Sequence, residues 1–183
     1  GIVLADIRLV GVGARNRECR TGCRGLCRHA IEWTAERRLR GVFGDGAVNH
    51  HTFVIAGDGC LMEGVSHEAA SIAGHQQLGG LVCIYDDNHI TIDGDTALTF
   101  SEDVPKRFES YGWHVEVLGD IADDLDGLEA GIRRAMAVTD RPSLLVLRSH
   151  MGVPSLDLID KHEAHGNPFT VNHASRTKAV MGI

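Results

Sequence analysis

Residues 51–94 read HTFVIAGDGCLMEGVSHEAASIAGHQQLGGLVCIYDDNHITIDG, and the rest of the chain can be arranged around them. The apolar run Phe53-Val54-Ile55-Ala56 reads as a buried strand that breaks at Gly57-Asp58-Gly59. Met62, Val65, Ala69, Ile72 and Ala73 then recur at helical spacing, with Leu78 closing the pattern, so one helical face is expected there. Gly79-Gly80 stops that helix. Leu81-Val82-Cys83-Ile84-Tyr85 reads as a second buried strand, followed at once by Asp86-Asp87-Asn88. A strand, a glycine turn, a helix and a strand make a βαβ unit. Its two parallel strands end on one edge of the sheet, where open α/β sheets bind ligands.

That topology brings Asp58 and Asn88 to one crevice. A carboxylate and a neutral carbonyl, with the backbone oxygen of Ile90 two residues on, suit a hard cation such as Mg2+. Such an ion takes oxygen ligands and usually only one or two carboxylates, with phosphate oxygens and water completing the shell. Gly57 and Gly59 are expected to let the main chain turn tightly and approach an anion, and the N-terminus of the following helix to point free N–H groups the same way. A metal-bridged diphosphate fits this arrangement.

Gly-Asp-Gly, a helix, a strand, and an Asn thirty residues after the Asp together resemble the diphosphate-anchoring motif of thiamine-diphosphate enzymes. A bare Gly-Asp-Gly is weak, and Phe43-Gly44-Asp45-Gly46 is a decoy with no helix-strand-Asn behind it. The fuller strings GDGCLMEGVSHEAASIAGH and YDDNHITIDG resemble transketolase, in its cofactor diphosphate-binding domain, and RFESYGWHVEVLGD extends the likeness. The resemblance implies a thiamine-diphosphate-binding domain of α/β class, a parallel sheet with helices on both faces. It implies Asp58, Asn88 and Ile90 as metal ligands for Mg2+ or another divalent cation, and Gly57 and Gly59 beside the diphosphate. Glu63 lies close to the cofactor and the dimer interface in that family. The plain alternative is a first-turn Glu that favours a helix N-terminus. His165-Gly166, ahead of Pro168, matches a family His-Gly whose His approaches the cofactor and the donor sugar, so His165 is the catalytic candidate. His67, His75 and His162 are weaker, and Cys60 and Cys83 read as small buried residues.

The remaining text is consistent with this class. Ser101-Glu102-Asp103 looks like an N-cap with acidic residues, with Pro105 at an early helical position and the helix stopping at Gly112. Trp113 to Val117 alternates like a strand. Asp123-Asp124 can cap a helix whose inner side carries Leu125, Leu128, Ile132, Ala135 and Met136. Leu144 to Leu147 is another buried strand. Alternating strands and helices predict a parallel sheet covered by helices. Asp93-Gly94 reads as a turn rather than a further ligand, and residues 149–183 read as loop.

Composition bounds the function. The chain has 183 residues, 43% of them hydrophobic, with a net charge of −7. That charge gives no nucleic-acid signal, and no apolar run approaches the ~20 residues of a membrane helix. Five cysteines without even spacing make no disulfide framework, and with no signal peptide the cytoplasm is the expected compartment. Residues 1–30 form a divergent Arg- and Cys-rich segment, open to a disordered reading, residues 31–169 the cofactor domain, and 170–183 a divergent tail. Cys19, Cys23, Cys27 and His29 invite a metal reading, but C-x3-C-x3-C does not match zinc spacing.

The resemblance implies transfer of a two-carbon ketol unit between sugar phosphates, in a homodimer. A Glu from a pyrimidine-binding domain, on the other subunit, activates the cofactor ring. Neither that domain nor the N-terminal histidines of the substrate channel lie within these 183 residues, so the chain alone is expected to anchor the cofactor without turnover. Two alternatives stand beside this one: another thiamine-diphosphate enzyme, against which CLMEGVSHEAAS argues, and a non-catalytic remnant of the fold.

Overall fold

The computed structural model describes residues 7–10, 35, 37–44 and 50–183. The Cys19–His29 metal reading therefore lies outside the described residues. Of the first thirty residues only Ile7–Val10 are described, as strand β1, a strand that the aperiodic text of residues 1–13 did not announce.

Helix α1 covers residues 37–43. Then come β2 (His51–Gly57), α2 (Asp58–Met62), α3 (Gly64–His75), β3 (Leu81–Asp87), the two-residue strands β4 (Ile90–Thr91) and β5 (Gly94–Asp95), α4 (Val104–Ser110), β6 (His114–Gly119), α5 (Leu125–Ala137), β7 (Ser143–Arg148) and α6 (Val171–Met181). Among the described residues, five strands form one sheet in the order β1-β2-β3-β7-β6, with parallel pairing throughout. β4 and β5 form a separate antiparallel hairpin.

Period-two alternation sorts the central strands onto two faces. Val54, Ala56, Cys83, Tyr85, Leu144 and Val146 point to one face and pack with Leu61, Ala69, Ala70, Ala73, Phe108 and Trp113. Phe53, Val82 and Leu145 point to the other and meet Ala135, Ile132 and Met136 of α5. Helices thus cover both faces, as a buried parallel sheet requires.

Aromatic edges and small residues bring α3 and α4 close. Trp113 donates from Nε1 to the Ala70 carbonyl at 2.8 Å, and its ring meets Phe108 edge-on at 5.0 Å. Gly74 sits against the backbone of Tyr111, so close that a Cβ there would lie 1.8 Å from the Tyr111 oxygen.

Several expectations change. The single helix expected from Met62 to Leu78 is two helices, α2 and α3, broken at Glu63, whose backbone is extended at φ −72° and ψ 134°. The inner face of α3 is made of Ser66, Ala69, Ala70, Ala73 and Gly74, while Val65 and Ile72 are exposed. Ala69 and Ala73 lie on that face as expected, but Val65 and Ile72 do not, and at Gly74 the Tyr111 backbone leaves no space for a side chain. Leu125 is also exposed, at 75%; it occupies the first position of α5. Residues 171–181, read as loop, form α6, capped by the Thr170 side chain accepting from the His173 N–H. No residue of α6 is buried, so no core-facing stripe marked it. Asp103 and Asp124 cap α4 and α5, accepting from the N–H groups of Lys106 and Gly127.

Candidate functional site at the C-terminal strand edge

Asp58 begins α2, directly after β2, and is 2% exposed. A buried carboxylate must be hydrogen-bonded, and three donors meet it. Tyr85 of β3 donates its hydroxyl to Oδ1 at 2.6 Å. The backbone N–H groups of Asn88 and His89 donate to Oδ2 at 3.1 and 3.0 Å. His89 adopts φ +64°, a left-handed conformation uncommon for a residue with a side chain. The chain beyond β3 thereby folds back over Asp58, and the His89 carbonyl accepts from the Thr96 N–H at 3.0 Å.

Asn88 ties the next residues in. Its Oδ1 accepts from the Ile90 N–H at 2.9 Å, and its Nδ2 donates to Asp86 Oδ2 at 3.1 Å. That amide orientation is the one that pairs a donor with each acceptor. Asp86 also accepts from the Ser149 hydroxyl at the end of β7. Arg148 and the Ser149 N–H hold the Asp87 carbonyl at 2.8 and 3.3 Å, and the Asp87 side chain faces His89 Nε2 at 3.2 Å. The ends of β2, β3 and β7 therefore meet in one polar cluster.

All three donors to Asp58 are uncharged. Burial pushes its carboxyl above the usual carboxylate range; the Tyr85 bond opposes this, the nearby Asp87 charge adds to it, and the two backbone bonds pull it back. The Tyr85 hydroxyl is held firmly protonated, first by its own burial and then by Asp58, so its role is donor. The cluster has carboxylates on Asp58, Asp86 and Asp87 but, among the described residues, no Lys or Arg side chain bonded to Asp58. A cation fits this deficit. Asp58 and Asn88 Oδ1 each retain acceptor capacity, since an ionised carboxylate offers about four lone-pair sites and an amide oxygen two. One carboxylate, one amide oxygen and a backbone carbonyl are a hard oxygen set of the kind Mg2+ takes with phosphate and water. No group of three His, Cys, Asp or Glu side chains suited to a metal occurs among the described residues.

The glycines act differently from the expected tight turn. Gly57 has φ −90° and ψ 179°, ordinary extended backbone, and a Cβ built on it would meet no atom within 4 Å. Its contribution is open space beside Asp58. Gly59 is helical, inside α2. The helix whose N-terminus lies at Asp58 is only five residues long, in place of the long helix expected to follow the glycine turn.

Of the residues read from sequence, Asp58, Asn88 and Ile90 are joined by direct hydrogen bonds, beside Gly57 and Gly59. Glu63 is exposed at the α2–α3 break. His165 is half-buried just after a 3-10 turn, His162–Ala164. No described hydrogen bond links either one to Asp58. Sequence reading missed Tyr85, Asp86, His89 and Ser149. Tyr85 was visible in principle, since it shares its face of β3 with Cys83.

The comparisons with known proteins agree with this geometry. The family described as "Transketolase, thiamine diphosphate binding domain" matches residues 18–183. Transketolase 10 of Craterostigma plantagineum is 46% identical over 135 residues, covering 74% of this chain and 20% of that protein. The chromosomal transketolase of Cupriavidus necator is 43% identical over 152 residues, 81% of this chain and 22% of that one. Among solved structures, a Pichia stipitis transketolase in complex with sedoheptulose 7-phosphate superposes with a TM-score of 0.81 at 38% identity, covering 88% of this chain and 24% of that one. Transketolase from Leishmania mexicana gives the same TM-score at 35% identity, again over 88% of this chain and 24% of that one. The chain spans about a fifth of the length of the curated relatives it matches. On family match, identity and fold together, the chain belongs to the transketolase family, within its thiamine diphosphate-binding domain.

Proposed function

We propose that the Asp58–Asn88–Ile90 cluster holds a divalent cation, Mg2+ or an equivalent, and through it the diphosphate of thiamine diphosphate. The observation that carries this is the buried Asp58, fixed by three uncharged donors at the shared end of three parallel strands. Asp58 and Asn88 supply side-chain oxygens, Ile90 a backbone oxygen, and Gly57 and Gly59 leave room for the diphosphate. Glu63 and His165 complete the proposed site, His165 as a hydrogen-bonding group towards the cofactor and the donor sugar.

When bound, the cofactor supplies the carbon nucleophile and electron sink that ketol transfer needs. The residues of this chain bind and orient. Tyr85 and the backbone of Asn88 and His89 keep Asp58 in place, and the hairpin β4–β5 keeps Ile90 in place. The substrates in this reading are sugar phosphates, supported by the sedoheptulose 7-phosphate complex of the Pichia stipitis relative. Ring activation falls to a Glu from a pyrimidine-binding domain of a partner subunit in a homodimer, following the family resemblance. These 183 residues alone are therefore proposed to bind cofactor without turning it over.

Calorimetry with thiamine diphosphate and Mg2+ tests the reading. The wild-type chain is expected to bind, and Asp58→Asn and Asn88→Ala to lose most of that binding while still folding. A wild-type chain that binds no cofactor in the presence of Mg2+ refutes the anchor, and ketol transfer by the chain alone refutes the claim about turnover.

A further inference from the structure

The short helix that carries Asp58 is held at its far end by a residue from a distant part of the chain. A five-residue helix cannot satisfy its last carbonyls internally. The Leu61 carbonyl, near the end of α2, accepts from Arg107 Nη2 of α4 at 3.0 Å, across 46 residues of sequence. Ser66 Oγ reaches the same oxygen at 3.3 Å and the Glu63 carbonyl at 2.7 Å.

Arg107 is itself held in place. Its side chain is 11% exposed and pairs with Glu102. Its Cζ lies 5.6 Å from the centre of the Phe108 ring and 6.0 Å from that of Phe100. Its Nη1 donates to His67 Nε2 at 3.1 Å, and His67 Nδ1 stands 3.2 Å from the Tyr111 hydroxyl. An arginine can only donate, so in that contact His67 Nε2 is the acceptor. Arg107 thus joins α2, α3 and α4 at one point.

Resting on the cofactor-anchoring reading above, we propose that Arg107 is a positioning residue. By holding the Leu61 carbonyl it fixes α2, and so fixes Asp58 against Tyr85, Asn88 and His89 for binding of the metal and diphosphate. It touches none of the proposed ligands. A sheet-and-helix scaffold can survive its loss, because most of the core on that face is apolar.

The test compares the wild-type chain with Arg107→Met, Arg107→Lys and Leu145→Val. Met keeps much of the stacking volume between Phe100 and Phe108 without any donor. Lys keeps the charge and a single donor. Leu145→Val trims the core on the opposite face of the sheet and reports general destabilisation. Two readouts are taken: amide hydrogen exchange by peptide, without cofactor, and calorimetric affinity for thiamine diphosphate with Mg2+. Arg107→Met is expected to speed exchange selectively in 58–62 and 88–89, leaving β7 protected, with partial rescue by Arg107→Lys. Cofactor affinity should fall about 10–100-fold, the range for groups supporting a metal ligand, whereas Leu145→Val should leave it near the wild-type value. Unchanged exchange in 58–62, exchange raised uniformly across all strands, or wild-type affinity in Arg107→Met each overturns the proposal. If the wild-type chain itself binds no cofactor, the anchoring reading has failed, and the exchange pattern still decides whether Arg107 fixes α2.

Discussion

Tyr85→Phe isolates the contact that most directly holds Asp58. The substitution deletes one oxygen and keeps a ring that packs in the core with Val54, Cys83 and Phe108. No cavity larger than a hydroxyl results, so the effect is that of the hydrogen bond. The bond is 2.6 Å long between two buried groups, and its acceptor is a carboxylate whose other oxygen already takes the Asn88 and His89 N–H groups. Hydrogen bonds to charged groups contribute about 1.5–3 kcal/mol, and an acceptor left buried and unpaired tends to the upper end. A domain of this size shifts its midpoint by roughly 2–4 °C per kcal/mol, so the loss is about 3–12 °C. Thermal melts followed by circular dichroism, at neutral pH and without cofactor or metal, measure it. A Tyr85→Phe protein that melts with the wild type would refute the reasoning, because Asp58 would then not depend on that hydroxyl.

Two further predictions concern other parts of the molecule. Gly74→Ala would place a Cβ 1.8 Å from the Tyr111 oxygen and 3.2 Å from Trp113 Cδ1; α3 must move off α4, at a cost of about 1–3 kcal/mol or more, seen as a lower urea midpoint. His150 stands between Asp160, 2.8 Å from Nδ1, and Asp120, 3.3 Å from Nε2, and those carboxylates, Asp160 foremost, raise its pKa above the ordinary 6.5. The charged form is favoured in the folded state, so its stabilisation is complete below pH 6.5 and is lost as pH rises through the raised value. The urea-midpoint gap between wild type and His150→Gln should therefore shrink with rising pH; a gap independent of pH would contradict this.

How far the sequence disclosed the molecule depended on how local each signal was. The strands β2, β3 and β7 were legible as short, continuous apolar runs, because a parallel sheet covered on both faces needs no polar alternation. Asp124 was legible as a cap, since a cap is written within four residues, whereas α4 starts later than Ser101-Glu102-Asp103 suggested and Asp103, expected in its first turn, is the cap itself. The meeting of Asp58 with Asn88 followed from the βαβ rule alone. The α2–α3 break was not read: Gly64 follows Glu63 directly, but a lone Gly in a periodic run is tolerated in a helix, and the carbonyls freed there find Ser66 and Arg107, the latter 46 residues away. The inner face of α3 was legible only in part: Ala69 and Ala73 lie on it, but Ser66, Ala70 and Gly74 share it in place of Val65 and Ile72. The Tyr85 clamp needed both the face of β3 and the depth of Asp58, and only the second came from outside the strand. The family likeness supplied roles for Glu63 and His165 that their surroundings in this chain do not by themselves express.

The sheet order β1-β2-β3-β7-β6 has a consequence for chain entropy. One wall of the polar cluster closes over a short span: His89 meets Asp58 across 31 residues. The opposite wall closes over about twice that, since Ser149 meets Asp86 across 63. Doubling a flexible loop costs only about 0.6 kcal/mol of closure free energy. The long excursion through α4, β6 and α5 is thus a cheap detour. The loops that join its elements can therefore lengthen with little closure penalty, so long as α4, β6 and α5 keep their packing and Asp86 and Ser149 still meet.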